Sequence, residues 1–201
     1  MPDHSSQRCF GDGDPLYERY HDREWGRPVT DESGLFERLC LEAFQAGLSW
    51  ITVLRKRPRF REAFHGFDPE WVARMTARDR TRLLNDVGII RNRAKIEATV
   101  TNARATLGLR ADGTDLPNLV WSFRPEEAPA RVDLASLPAT TPESVALSKA
   151  LKSSGFRFVG PTTAYALMQA CGLVNDHLSS CPVRDEVQEA RTGARDPTAE
   201  R

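Results

Sequence analysis

Two pairs of metal-binding residue types lie at opposite ends of this 201-residue chain. Cys9 and His21 come near its start, and His177 and Cys181 come near its end. Two cysteines and two histidines form a common closed tetrahedral zinc site. If the four residues share one ion, the ion ties the two ends of the chain together and acts as a structural staple. The spacing is not that of a zinc finger, so four unrelated residues that merely fit the formula are the alternative.

The composition is that of an ordinary globular domain. A hydrophobic fraction of 40% supports one core, and the length favours a single domain with room for two lobes. No apolar run approaches the length of a membrane span, and the first residues carry no signal-peptide pattern. We therefore expect a cytoplasmic protein with no membrane partner, in which Cys40 and Cys171 are buried packing residues.

Local signals predict an all-α fold. Helix-capping residues stand at four places, Thr30-Asp31, Asp68-Pro69, Thr76 to Asp79 and Thr141-Pro142. The polar ends of the chain predict a single domain over residues 8–182, with flexible tails at 1–7 and 183–201.

Charge is balanced overall but unevenly distributed. Residues 51–95 hold twelve Lys or Arg and five Asp or Glu, whereas residues 11–50 hold four and nine. With such a distribution, the basic stretch can bind an anionic backbone and the acidic stretch can bind a cationic group. Two solvated faces without a ligand are the alternative.

A short glycine-containing connection joins two predicted helices within residues 77–107. In a helix-hairpin-helix element, the turn amides and the second helix's N-terminus bind a phosphate. The candidate residues for contacts to the phosphates of a nucleic acid are Gly88, Ile89, Ile90, Arg91, Arg93 and Lys95. The alternative is a plain αα-hairpin with no ligand.

Glu42 falls at the edge of the apolar face of the helix predicted from residue 31 to about residue 47. An ionised carboxylate in that position must be paired, hydrogen-bonded or reserved for a ligand. Four aromatic residues lie nearby in the sequence, and aromatic faces with one carboxylate suit a flat or cationic group. They are Tyr17, Tyr20, Trp25 and Trp50. The alternative is a core carboxylate bonded to a hydroxyl or an arginine, with aromatic rings that only pack.

Several long blocks of the sequence occur in the same order in one known family. They are DPLYERYHDREWG (14–26), LEAFQAGLSWITVLRKR (41–57), GIIRNRAKI (88–96), VWSF (120–123) and ALSKALKSSGFRFVGPTTAYALMQACGLVNDH (146–177), followed by Cys181. In these blocks the chain resembles the bacterial DNA-3-methyladenine glycosylase I (Tag) family.

The resemblance implies a fold of two helical lobes with a helix-hairpin-helix element. It implies one structural zinc per chain, held by Cys9, His21, His177 and Cys181. It also implies a monomer that excises 3-methyladenine from alkylated double-stranded DNA and leaves an abasic site without cutting the strand.

The resemblance also assigns a base pocket. Glu42 and Tyr20 would recognise the base by hydrogen bonds, and Trp50 and Trp25 would stack on it, with Tyr17 nearby. The chain departs from the family where a tryptophan usually follows the first zinc cysteine by two positions. Either Phe10 replaces that tryptophan or the pocket wall is thinner there. A second departure is Ala43-Phe44, where glycine usually follows the glutamate.

Overall fold

The computed structural model describes residues 8–126, 130–194 and 197–200. Within these residues the fold consists of α-helices and short 3₁₀ turns, with no β-strand and one isolated bridge between Arg131 and Leu178. The predicted all-α class is therefore confirmed. No helix in this part of the chain is long and apolar enough to cross a membrane. The helices are α1 (Pro15–Arg23), α2 (Glu32–Gln45), α3 (Trp50–Ala63), α4 (Pro69–Ala73), α5 (Ala77–Leu84), α6 (Arg93–Ala111), α7 (Leu116–Trp121), α8 (Pro142–Ser153), α9 (Pro161–Ala170) and α10 (Arg184–Gly193).

The four predicted helix starts are confirmed. Side chains of the N-cap residues accept hydrogen bonds from backbone N–H groups of the first turn, which satisfies donors that have no partner inside the helix. The caps are Asp31 before α2, Asp68 before α4, Thr76 before α5 and Thr141 before α8. Thr76 also forms the predicted reciprocal capping box with Asp79.

Helix α2 lies at the centre of the molecule. It packs against α3, α6, α7 and α9, and its residues from Leu35 to Phe44 are all buried. A helix that is enclosed on most sides must carry apolar side chains around its circumference or find partners for its polar ones. Cys40 faces the core with no exposed surface, as predicted, and so does Cys171.

A network of ion pairs, partly buried, connects α2 to α1 and α3. Glu37 on α2 is 6% exposed and accepts hydrogen bonds from Arg57 Nε at 2.5 Å and Arg61 Nε at 3.0 Å. Glu24, which follows α1, accepts from Arg57 at 2.5 Å and from Arg38 at 3.2 Å. Burial raises the pKa of the Glu37 carboxyl, but the charges and hydrogen bonds of Arg57 and Arg61 outweigh burial and hold that pKa below its ordinary value.

The C-terminal residues differ from the predicted flexible tail. Residues 184–193 form α10, whose Val187 is fully buried. The buried Arg191 guanidinium donates to the carbonyl oxygens of Gly172 and Leu173, each at 2.7 Å. The sequence pattern did not predict that this helix packs on the domain, because Val187 and Arg191 are its buried residues and one apolar residue does not form an apolar face. The predicted N-terminal tail, residues 1–7, lies outside the described residues.

The segment between α1 and α2 is held against the end of α9. The Gly26 N–H donates to the Gln169 carbonyl and the Val29 N–H donates to the Cys171 carbonyl, both at 3.1 Å. Gly172 has a φ of +78°, and a Cβ atom there would lie 2.7 Å from the backbone of Arg27. Only glycine allows this approach, which brings residues from both ends of the chain together.

Replacing Glu37 with Gln should lower the free energy of unfolding at pH 7 by about 2–3 kcal/mol, because Arg57 loses a buried ionic partner. Since the folded pKa of Glu37 lies below its ordinary 4.5, its contribution is present above that pH and is lost as the pH falls further. Urea unfolding of both proteins between pH 3 and pH 7 measures the difference.

Glu97→Gln is the matched control. The Glu97 carboxylate is 54% exposed and lies 3.9 Å from Arg93, so its loss should change the free energy of unfolding by less than about 0.5 kcal/mol. Equal effects of the two substitutions would show that the Glu37 network does not stabilise the fold.

Candidate metal centre and adjoining pocket

The four predicted metal ligands lie together in the folded chain. Cys9 precedes α1, His21 lies in its last turn, and His177 and Cys181 lie in the connection between α9 and α10. All four side chains are buried, and one potential ligand atom from each lies within 4.8 Å of the others. The group could therefore hold a metal ion.

The spacing of these atoms fits a tetrahedral ion. Bonds of about 2.3 Å to sulfur and about 2.0 Å to nitrogen place such ligands about 3.5 Å apart. The Nδ1 atom of His177 lies 3.7 Å from Cys9 Sγ and 3.3 Å from Cys181 Sγ. The Nε2 atom of His21 lies 3.5 Å from Cys181 Sγ. The donor set thus has the chemistry and the spacing that a metal requires.

Further contacts orient the ligands. The second nitrogen of His21 lies 2.8 Å from the Asp22 carboxylate, and that of His177 lies 3.1 Å from the Trp25 carbonyl oxygen. Such contacts fix the ring orientation and tautomer of metal-binding histidines. The hydrogen bond between the two sulfurs lowers the pKa of the Cys181 thiol and raises that of Cys9. A metal bound by the cluster would displace protons from the thiols.

A cavity of about 200 Å³ adjoins this cluster. It is smaller than the roughly 300–1,000 Å³ of pockets for drug-sized ligands, and so suits one small flat molecule. It is lined by Phe10, Tyr17, Tyr20, Trp25, Glu42, Gln45, Trp50, Leu134, Leu137, Ala166 and Gln169. The structure therefore brings all six predicted pocket residues to one cavity.

The metal cluster and the pocket share a wall. Phe10 directly follows Cys9, and its ring centroid lies 4.9 Å from those of Tyr17 and His21 and 5.0 Å from that of Trp25. The Trp25 ring in turn lies 4.6 Å from the ring of His177. Phe10 thus forms part of the wall that the cavity shares with the metal cluster. The other departure, Ala43, is 3% exposed and packs in the core without lining the cavity.

Glu42 is a buried carboxylic acid in this cavity. It is 6% exposed, and its carboxyl group has no hydrogen-bond partner among the described residues. Burial raises its pKa to about 8, although the charge of Arg38 opposes the shift. A buried acid without a partner, facing a cavity, is a recurrent feature of functional sites.

Two aromatic residues bring further unused polar groups. Burial and the nearby Glu42 raise the pKa of the Tyr20 phenol well above its ordinary value. Its ring lies 5.2 Å from that of Trp50, and its hydroxyl has no hydrogen-bond partner in the described part of the chain. The Trp50 Nε1 atom is buried and also unpaired. Unsatisfied buried donors and acceptors are costly unless a ligand uses them.

Two glutamines of the cavity were missed by sequence reasoning. Gln45 lies three residues after Glu42 on α2. Gln169 lies on α9, 127 positions after Glu42. Both are neutral residues with no motif of their own. Only the packing of α2 against α9 identifies Gln169 as part of the pocket.

The predicted helix-hairpin-helix turn joins α5 to α6, but its amides are partly occupied. The Gly88 N–H donates to Asp86 Oδ1 at 2.8 Å, and the Lys95 N–H in the first turn of α6 donates to the Asn92 side chain at 3.1 Å. Ile89 is 2% exposed and packs in the core, and Ile90 is half-buried. Arg91 and Arg93 are exposed, and Arg93 lies 3.9 Å from the Glu97 carboxylate, so both side chains are accessible to an anion.

Lys95 differs from the phosphate contact expected of it. It is 7% exposed, and its ammonium group donates to the carbonyl oxygens of Phe44 at 2.8 Å and Ala46 at 2.6 Å. These carbonyls end helix α2, where a cation is favoured by the helix dipole. Lys95 therefore connects the start of α6 to the helix that carries Glu42.

A second helix pair, α8 and α9, offers a basic groove that the sequence reasoning did not single out. The N-cap of α9 is Gly160, which provides no side-chain cap to the first-turn N–H groups. Two lysines of α8 lie beside this helix start. The groove is lined by Val145, Ser148, Lys149, Lys152, Ser153 and Pro161.

Comparisons with known proteins agree on one family. The family model of methyladenine glycosylase matches residues 10–185. The DNA-3-methyladenine glycosylase 1 of Escherichia coli (strain K12) is 54% identical over 179 residues, which cover 87% of this chain and 95% of the relative.

Solved structures support the same relationship. A crystal structure of 3-methyladenine DNA glycosylase I matches with a TM-score of 0.85 at 52% identity, covering 88% of this chain and 98% of that chain. A single-residue variant of 3-methyladenine DNA glycosylase I in complex with 3-methyladenine matches with a TM-score of 0.82 at 38% identity, covering 88% and 96%.

Replacing Glu42 with Gln should stabilise the protein at high pH. Because the folded pKa of about 8 exceeds the ordinary 4.5, the folded state retains a proton that the unfolded chain releases. The wild type therefore loses stability as the pH rises between these values. The variant should be more stable at pH 8.5 by roughly 2–4 kcal/mol and about equal at pH 4. Urea unfolding at both pH values tests this.

Glu37→Gln provides the control of opposite sign, since it lies on the same helix and should destabilise the protein at high pH. A Glu42→Gln variant that is less stable than the wild type at pH 8.5 would mean that the Glu42 carboxylate is paired inside the protein.

Proposed function

The chain belongs to the methyladenine glycosylase family, and we propose that it removes 3-methyladenine from alkylated DNA by hydrolysing the bond between the base and deoxyribose. The observation that carries this proposal is the unpartnered, buried Glu42 in a small aromatic cavity. A base inside a duplex is out of reach of such a cavity, so the damaged nucleotide must be flipped out at a cost of a few kcal/mol.

The aromatic residues of the cavity would hold the flipped base by stacking. Trp50 and Tyr20 come from α3 and α1, and Trp25 and Phe10 form the wall beside the metal cluster. Rings in these positions can cover both faces of a flat purine, and a cationic base gains further attraction to aromatic faces.

Glu42 would recognise the charge and the hydrogen-bonding edge of the lesion. An adenine methylated at N3 and still attached to deoxyribose is formally cationic. A cation within the cavity favours the ionised form of Glu42 and lowers its pKa from about 8. Free protein and bound protein therefore differ in the protonation of this carboxyl group. The Tyr20 hydroxyl provides a second polar contact to the base.

The chemistry requires little further assistance. The cationic base leaves as a neutral molecule without prior protonation, and water completes the hydrolysis at the sugar carbon. Glu42 accelerates the reaction only through contacts that are stronger in the transition state than in the ground state, so its first role is recognition. Among the described residues that line the cavity there is no lysine, which supports a monofunctional glycosylase that leaves the strand uncut.

DNA contacts would flank the cavity. Arg91 and Arg93 are exposed beside the hairpin between α5 and α6, and Lys149 and Lys152 line the groove at the start of α9. Phosphate contacts of this kind position the duplex and are independent of sequence. A DNA substrate is in keeping with the predicted cytoplasmic location, and the predicted monomer stays a prediction.

We assign zinc to the Cys₂His₂ cluster. Two thiolates and two imidazoles are its usual structural ligands, and four protein ligands leave no open position for a reacting water. The ion would therefore hold the two ends of the chain together and support Phe10 and Trp25. This argues against a zinc-dependent hydrolase, in which the metal needs an open coordination site.

The purified protein should contain about one zinc per chain. Cys181→Ala should lose most of that zinc and lower the free energy of unfolding by at least about 2 kcal/mol, because metal binding contributes directly to folding. Cys171→Ala removes a buried thiol outside the cluster and should retain full zinc content. Elemental analysis and urea unfolding give the two readouts, and wild type without zinc would contradict the assignment.

The wild type should release 3-methyladenine from methylated duplex DNA, as detected by chromatography of free bases. Glu42→Ala should slow this release by at least about tenfold, the loss expected for a hydrogen bond to a charged partner. Glu189→Ala replaces an exposed carboxylate on α10 and should leave release unchanged. A folded, zinc-loaded wild type that releases no base would overturn the proposed function.

A further inference from the structure

Gln169 on α9 faces the same cavity as Glu42 but differs in how its side chain is held. Its Nε2 atom donates a hydrogen bond to Asp176 Oδ2 at 2.8 Å. Its Oε1 atom has no hydrogen-bond partner among the described residues, and the residue lines the cavity. One end of the amide is thus fixed inside the protein, while the other end is available to a ligand.

The hydrogen bonds of Asp176 determine whether the NH₂ group or the oxygen of the Gln169 side chain faces the cavity. Asp176 is 1% exposed, and it also accepts hydrogen bonds from Tyr165 Oη at 2.5 Å and from Arg131 Nε at 3.1 Å. A carboxylate paired with arginine only accepts hydrogen bonds, so the NH₂ group of the glutamine must point towards it. The side-chain amide oxygen of Gln169, Oε1, is therefore the atom that faces the cavity.

We propose that Gln169 is a specificity-determining residue. Its side-chain amide oxygen accepts a hydrogen bond from the exocyclic amine of a 6-aminopurine, and the same oxygen disfavours a 6-oxopurine. This inference rests on the proposed function. Adenine carries an amine donor at C6, whereas guanine carries an oxygen acceptor there. Two acceptors placed opposite each other would both remain unpaired inside the cavity, which costs more than the hydrogen bond gains.

The other polar residues of the cavity fit this role for Gln169. The exocyclic amine has two hydrogens, so it can donate to Gln169 and to Glu42 together. Gln45 also lines the cavity, but its side-chain amide has no hydrogen-bond partner in the described part of the chain. Because that amide can rotate to offer a donor or an acceptor, Gln45 adapts to either base and Gln169 discriminates between them.

The test is the ratio of 3-methyladenine to 3-methylguanine released from methylated duplex DNA under single-turnover conditions. Gln169→Met keeps the length of the side chain and removes its amide oxygen. We expect its 3-methyladenine release to fall about tenfold, with 3-methylguanine release unchanged or faster, so that the ratio falls about tenfold. An equal loss for both bases would mean that Gln169 only supports the fold, which overturns the proposal.

A further variant separates the Gln169 oxygen from its surroundings. Tyr165→Phe removes a different donor to Asp176 and leaves the Gln169 amide hydrogen-bonded to Asp176, so the ratio should be retained. A ratio as low in Tyr165→Phe as in Gln169→Met would show that the surroundings of Asp176, and not the Gln169 oxygen, set the ratio, which contradicts the proposal.

A measurement on the wild type covers the case in which Gln169→Met fails to fold. Free 3-methyladenine and its 6-oxo analogue, 3-methylhypoxanthine, are titrated into the protein, and quenching of Trp25 and Trp50 fluorescence reports binding. We expect the 6-oxo base to bind at least about tenfold more weakly, and equal affinities would overturn the proposal.

Failure of this inference can be told apart from failure of the proposed function. A wild type that releases no 3-methyladenine contradicts the function itself. Release by the wild type with an unchanged ratio in Gln169→Met leaves the function standing and removes Gln169 from base selection.

Discussion

The burial of helix α2 is the constraint on which the rest of the structure depends. Neighbouring helices enclose it, so each charged side chain on it must find a partner inside the protein or remain costly. Glu37 has two arginine partners from α3, whereas Glu42, less than two turns further along, has none. One helix thus carries a carboxyl group that stabilises the fold and another whose ionisation opposes it. The proposed function accounts for the second, because a bound base would provide the partner that the protein does not.

The metal cluster and the pocket are parts of one construction. Cys9 is followed directly by Phe10, and His177 packs on Trp25, so the contacts that fix the metal ligands also fix two walls of the cavity. The connection between α9 and α10, which carries His177, also contains Asp176, and Asp176 orients the Gln169 side chain through a hydrogen bond. A metal ion bound by the cluster would therefore also make the shape and the hydrogen-bonding pattern of the pocket rigid. Rigid, preorganised polar groups discriminate between ligands better than mobile ones.

Lys95 connects the hairpin proposed to contact DNA with the helix that carries Glu42. Its ammonium group binds the last carbonyls of α2, while its backbone lies in the first turn of α6, next to Arg91 and Arg93. A duplex held at this edge would therefore lie close to the end of the helix that carries Glu42. Lys95 is therefore buried although it lies in a stretch rich in basic residues.

The sequence by itself determined the all-α class, the helix starts at Asp31, Asp68, Thr76 and Thr141, and the residue types of the metal cluster and aromatic pocket. The helix starts follow from local capping chemistry, and the metal and pocket residues were assigned through the resemblance of their sequence blocks to one family. Tertiary structure alone decided that α10 packs on the chain, that Lys95 is buried and that Gln169 faces the cavity. Each of these depends on a contact between distant segments, such as Arg191 with Gly172 or Lys95 with Phe44. A neutral glutamine has no charge or period that marks it in a sequence, and only the hydrogen bond to Asp176 gives its oxygen a direction.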